Sequence, residues 1–268
     1  MKKIFILLIV SFSFSLFGQR QNFSKSTFSE DFKTTFSYLA YGALKQFTTT
    51  SNIGYLAIGG GSTWYALEED DRITSVVTKK DLRFYHKYAS YSSIASNFPI
   101  WSALFYYTGK HNGDSKMVRF AMEYTAAQYL ALAETGLASY YDVHHRPDSS
   151  QTGFWETAFR GPSSFPSGHI IPYATLMFKT FQFYGHYWAM IPAVMTYLTG
   201  YERIQTKKHY FSDVVAGIFV AAFASEGVRA YGKHNNNHPY YKRIFDGEVV
   251  LGLTHYRNCI GPRITFIY

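Results

Sequence analysis

The apolar positions of this chain fall in long runs with helical spacing, separated by short polar stretches that carry glycine or proline. Residues 32–47 read as an amphipathic helix after a polar, aromatic start. Residues 53–67 are apolar but contain Gly59-Gly60-Gly61. No Gly-Lys-Ser/Thr follows the glycines, so they suit a flexible or closely packed helical segment better than a phosphate loop. The run Glu68-Glu69-Asp70-Asp71 reads as a solvated acidic cluster. A helix is expected over 94–107, a polar turn over 109–114, and the longest helical pattern over 117–141, stopped by Pro147. Two further apolar stretches, 166–184 and 186–201, meet at Gly185, and 212–231 forms a last helix. His234 and His238 lie in a polar loop. Strand-like alternation on either side of Gly261-Pro262 suggests a small terminal hairpin, but two strands make no barrel. The pattern as a whole predicts an all-α fold.

The first 18 residues differ in kind. Lys2 and Lys3 precede the run Ile4–Val10 and a Ser/Phe-rich stretch to Gly18, the layout of an export signal, and no cysteine follows to carry a lipid anchor. The organisation expected is a signal peptide over 1–18, an N-terminal extension over 19–50, a helical domain over 51–232 and a tail over 233–268. An exported protein, periplasmic or membrane-associated on the periplasmic side, follows from that reading. Cys259 is the single cysteine, which rules out an internal disulfide framework and suits a small buried apolar side chain.

Composition narrows the partners. The formal net charge is +8 and the pI about 9.3, so anionic partners are favoured. Nucleic acid is the poorest fit, because the chain has no basic run and no stacking motif. Aromatic residues make up 19% of the chain, which suits packed helices and also membrane-interface surfaces. A bilayer-crossing helix needs about 20 mostly apolar residues. Here Glu123 and Glu134 interrupt one candidate, Lys179 another, and Glu226 and Arg229 the last. Charge inside a membrane is costly, so these helices are expected to pack in water or at an interface. With a cleaved signal, six crossings would also turn the site described next toward the cytoplasm; either fewer segments cross, or none.

Three short segments carry the chemistry. Arg146-Pro147 ends the long helical run. Pro166-Ser167-Gly168-His169 is a turn leading straight into a helix, where unpaired backbone N–H groups attract anions. The third segment sets Arg203 six residues before His209 and Asp213 four residues after it, so that on a helix Asp213 can hold the His209 ring from behind. The 34 residues from His169 to Arg203 equal two antiparallel helices of about 15 residues, which return the chain to the pole it left. Two histidines, two arginines, an aspartate and a donor-rich turn therefore converge, a set suited to gripping and attacking a phosphoryl group.

Taken together, these segments resemble the type 2 phosphatidic acid phosphatase and vanadium haloperoxidase superfamily, whose pattern is Lys-x6-Arg-Pro, Pro-Ser-Gly-His and Ser-Arg-x5-His-x3-Asp. The resemblance covers roughly residues 50–232 and implies a six-helix core. It implies His209 as nucleophile, held by Asp213, His169 as general acid and then base, and Arg146, Arg203, Ser167 and Gly168 as the phosphate cradle. No metal or cofactor is required, because arginines supply the charge. A phosphatase acting on phosphomonoesters or diphosphates, lipid phosphates among them, is the leading expectation. A vanadate-dependent haloperoxidase and a non-catalytic protein that binds phosphate or lipid head groups are the alternatives. Two positions depart from the pattern. The lysine seven residues before Arg146 is Ser139, and the serine before Arg203 is Glu202. Lys207, Lys208, Arg160, His144 and His145 are the candidates to replace the lost charge. Glu202 is expected to face solvent or pair with a base.

Overall fold

Thr27 and Glu30 open the first helix: the Thr27 N–H donates to the Glu30 carboxylate at 2.7 Å and the Thr27 hydroxyl accepts from the Glu30 N–H at 3.3 Å. This reciprocal cap starts α1 (Phe28–Lys45) four residues ahead of the apolar run. A computed structural model describes residues 26–79, 98–148, 160–233, 248–256 and 259–267. After α1 come α2 (Thr50–Thr78), α3 (Ile100–Asn112), α4 (Ser115–Ala138), a 3-10 turn (Gly168–Ile170), α5 (Ile171–Tyr184), α6 (His186–Gln205) and α7 (Phe211–Gly232). Strands β1 (Glu248–Tyr256) and β2 (Cys259–Ile267) pair antiparallel, Glu248 opposite Ile267 and Tyr256 opposite Cys259, giving the terminal hairpin. The export signal and the His234/His238 loop lie outside the described residues.

Several helix ends differ from expectation for local reasons. α2 runs straight through the acidic cluster, because Asp70 is turned inward and buried rather than solvated. α3 continues past Gly109 and stops at Gly113, whose φ of 65° is a left-handed conformation that glycine adopts without strain. α4 ends at Ala138, well before Pro147. There the Ser139 hydroxyl turns back to the Gly136 carbonyl at 2.6 Å, competing with the next helical turn. Gly185, at φ 87°, makes the sharp joint between α5 and α6.

α7 is the central helix. Its apolar residues are spread over every side, and its alanines Ala216, Ala221, Ala222 and Ala224 are buried, so α1, α2, α4 and α5 all pack closely around it. The core joins it to Ala126, Ala127, Leu130 and Ala131 of α4 and to Ile170, Ile171 and Ala174 at the start of α5. Gly59, in the triple glycine, would place a Cβ 2.7 Å from the Phe219 ring, so α2 also leans directly on α7.

The charges that interrupt the apolar runs are spent inside this bundle. Lys179 Nζ donates to Glu123 Oε2 and Gln182 Oε1, both at 2.8 Å, and Gln182 Nε2 donates to Glu226 Oε2 at 3.3 Å. Arg229 pairs with Glu226 at 2.7 Å, and Arg119 with Glu123 at 2.9 Å. Lys179, Glu123, Glu226 and Arg229 are paired and turned inward, so they place no charge on the outer face of their helices. Phe28, Phe32, Trp64, Tyr187, Met190 and Tyr197 are exposed on α1, α2 and α6. Among the described residues one helix, α7, is long and apolar enough to cross a membrane, and 67% of its apolar window is buried within the protein.

Candidate active site

Four segments meet at one pole of the bundle. The Asp148 N–H donates to the Lys207 carbonyl at 2.9 Å, the Ser164 N–H to the His144 carbonyl at 3.1 Å, and the Ser167 N–H to the Asp213 carbonyl at 2.9 Å. Backbone hydrogen bonds thus stitch the loop after α4, the Pro-Ser-Gly-His turn, the α6–α7 loop and the start of α7. Gly217 sets the closeness of the approach. A Cβ there would lie 2.4 Å from Ile170 Cγ2 and 2.8 Å from the Ser167 carbonyl.

His209 sits at the centre and is completely buried. Its Nδ1 lies 3.1 Å from Asp213 Oδ2 and its Nε2 lies 3.3 Å from His169 Nδ1. A carboxylate can only accept, so Nδ1 carries the proton and Nε2 accepts from His169. Asp213 is steadied in turn by the Tyr210 N–H at 3.0 Å. Burial pushes the Asp213 pKa up to about 6, against the opposing pull of His144, the Tyr210 N–H, Ser164 and Arg160. Burial also drives the His209 pKa well below the usual histidine range, helped by His169 and by the guanidiniums of Arg146, Arg160 and Arg203. The ring therefore stays neutral with a lone pair on Nε2.

The surrounding groups are donors. Arg203 is 2% exposed, and its Nε donates to Glu202 Oε2 at 2.7 Å. Glu202 thus pairs with a base, the second of its two expected fates. Ser167 is completely buried, and its Oγ has no hydrogen-bond partner among the described residues. A buried hydroxyl left so is costly unless a ligand completes it. Among the described residues no cluster of three or more His, Cys, Asp or Glu side chains is arranged to hold a metal.

Residues 120–236 match the model of the PAP2 superfamily. The chain is also similar to the crystal structure of the first transmembrane PAP2 type phosphatidylglycerolphosphate phosphatase from Bacillus subtilis. Their TM-score is 0.50 and their identity 13%, over 74% of this chain and 98% of that one. At that identity the likeness speaks for the fold. No curated protein matches the chain. Every residue of the PAP2 pattern named from the sequence, from Arg146 to Asp213, lies within the matched stretch, and the structure gathers them at one pole.

A second layer behind the PAP2 pattern was not read from the sequence. His144 Nδ1 lies 2.9 Å from Ser164 Oγ, and its Nε2 lies 3.2 Å from Ser212 Oγ and 3.5 Å from Asp213 Oδ1. Asp70, reaching from α2, takes the Ser212 N–H at 2.8 Å and the Ser212 hydroxyl at 2.6 Å. It caps the helix on which Asp213 stands. The signal was present only as one acid among four, and 142 residues separate it from Ser212. Asp70→Asn is expected to lower kcat roughly tenfold with KM little changed, the scale of losses from outer partners that orient a catalytic group. Steady-state kinetics beside a thermal melt separates this from a loss of fold.

Proposed function

We propose that the protein is a phosphatase that cleaves phosphomonoesters or diphosphates through a phosphohistidine, with lipid phosphates as the favoured class. The observation that carries the proposal is the His169–His209–Asp213 chain of contacts, with the nucleophilic nitrogen of His209 aimed at the acid. The PAP2 match over 120–236 supports the same reaction class. His209 Nε2 attacks phosphorus while the bond to the leaving oxygen breaks, and His169 delivers a proton to that oxygen. Water then attacks the phosphohistidine, His169 takes its proton, the P–N bond breaks, and phosphate leaves with His209 neutral again. Arg146 and Arg203 face the equatorial oxygens with planar forks, and the Ser167 hydroxyl with the Gly168 N–H completes the cradle. With the two imidazole nitrogens 3.3 Å apart, no phosphorus fits between them, so substrate entry has to part the rings.

Lipid substrates are supported by the outer face. Exposed aromatic and aliphatic side chains on α1, α2 and α6 suit an acyl environment, and Lys179, Glu123, Glu226 and Arg229 are paired inside the bundle. We place the protein at a membrane, with the basic surface drawn to anionic head groups. Phosphate release by the purified protein from phosphatidic acid, a polyprenyl diphosphate and a water-soluble phosphomonoester is the test. Release is expected, with a lipid preferred. Peroxide-dependent halide oxidation that requires added vanadate, with no phosphate released, would replace this reading.

A further inference from the structure

The PAP2 pattern is one cation short in this chain, because a serine stands at position 139. Ser139 is completely buried, and its surroundings account for the exchange. Its Oγ accepts from the Gly161 N–H at 2.8 Å, and its carbonyl accepts from the Ser163 N–H at 3.2 Å. The loop crosses so tightly that a Cβ on Gly161 would sit 2.3 Å from the Ser139 carbonyl oxygen and 2.6 Å from Tyr140 Cα. No long side chain can leave position 139 without displacing this loop. The end of α4 has given up its space to the chain that crosses it.

The residue beside Gly161 is Arg160. Its Nη2 donates to the Pro166 carbonyl at 2.6 Å and to the Ser164 carbonyl at 3.3 Å, which fixes the plane of the guanidinium against the Pro-Ser-Gly-His turn. Its Nη1 stands 3.4 Å from the point where a Cβ on Gly168 would be. The same point is 3.9 Å from Thr135 Oγ1, so both the guanidinium and the end of α4 come close to Gly168 of the turn. We propose that Arg160 is the third cationic ligand of the phosphoryl group, carried into the cradle by a loop that Ser139 pins in place.

Three other carriers of the charge fit less well. Lys207 and His145 are exposed, and His144 is engaged with Ser164, Ser212 and Asp213 behind the site. Arg160, by contrast, is near enough to help depress the His209 pKa, as Arg146 and Arg203 do. The substitution is not neutral in chemistry. A lysine offers a mobile point charge, whereas an anchored guanidinium offers a flat fork of fixed direction, suited to a tetrahedral dianion with two oxygens in its plane.

The proposal rests on the site being a phosphate site, so its test reads oxyanion binding and turnover separately. Orthovanadate binding to the purified full chain would be measured by calorimetry, and phosphate release from dioctanoyl phosphatidic acid in parallel. Arg160→Ala is expected to weaken vanadate binding on the order of 10- to 100-fold, the range for a charge-assisted hydrogen-bonding partner. Arg160→Lys should recover part of the loss, and Lys207→Asn should bind as the wild type does. Should Arg160→Ala lose its helical circular dichroism, Arg160→Gln takes its place. Vanadate binding by the neutral variant within about twofold of wild type overturns the proposal, whatever the turnover. A wild type that binds vanadate through Arg160 yet releases no phosphate upholds it and removes the phosphatase reading instead. A wild type that binds no vanadate removes both.

Discussion

Phosphate release is expected to fall by a factor of at least about 10³ when His209 is replaced by alanine or glutamine, because the proposed covalent intermediate forms on its Nε2. Alanine at a fully buried position leaves a void, so glutamine, close in length and able to hydrogen-bond, is the sharper variant. Wild type quenched in base during turnover of a radiolabelled phosphomonoester should retain protein-bound phosphate that acid releases, the stability pattern of a phosphoramidate. The glutamine variant should retain none. A glutamine variant that keeps wild-type turnover would mean that water attacks phosphorus directly, and His209 would then be a hydrogen-bonding residue of the cradle.

Asp213→Asn is expected to reduce kcat by roughly 10³- to 10⁴-fold, comparable to the loss when the carboxylate behind a catalytic histidine becomes an amide. The amide can turn its NH2 toward Nδ1, which moves the ring proton to Nε2 and removes the nucleophilic lone pair. The pH profile carries the diagnostic part. Asp213 titrates at about 6, so it is ionised above that pH and protonated below it. Wild-type activity should therefore decline as pH falls through about 6. His209, whose pKa burial holds lower, is still neutral there. A phosphomonoester also titrates near 6, so a limb that survives unchanged in the asparagine variant belongs to substrate and refutes the assignment to Asp213. Stability runs the other way. A carboxyl whose pKa is raised in the folded protein favours folding most below its ordinary pKa of 3.8, and that contribution is lost as pH rises through about 6. The form that works is the form that folding disfavours.

Much of the site was legible because its information is local. His209 and Asp213 are four residues apart, although His209 stands just before the Tyr210 cap of α7 rather than on the helix as expected. The Pro-Ser-Gly-His turn is contiguous, so these contacts are close in sequence. Convergence was legible too, since α5 and α6 with Gly185 between them are a counted-out return path. What escaped is information that exists only across the fold. Asp70 looks like any member of an acidic run until α2 and α7 are packed together. Glu123, Lys179, Glu226 and Arg229 each read as an interruption of an apolar helix, and only the contacts Lys179–Glu123 and Arg229–Glu226 show that they pair off. Arg160 is one of five candidate charges in the sequence, and its neighbour Gly161, which sets it apart from the others, acquires meaning only against the Ser139 carbonyl.

Asp70 also bears on where the working unit of this chain begins. It stands fifty residues before the stretch matched to the PAP2 superfamily, yet it holds the first turn of the helix that presents Asp213. α1 lies outside that stretch as well, and Gly42 is pressed so closely on α7 that a Cβ would come within 2.8 Å of Val228. The boundary drawn by shared motifs is therefore not a boundary in the physical object. A fragment cut at 120 keeps every motif residue and loses the back wall that keeps them aligned, so the smallest piece that can be an enzyme includes the helices the family pattern leaves unnamed.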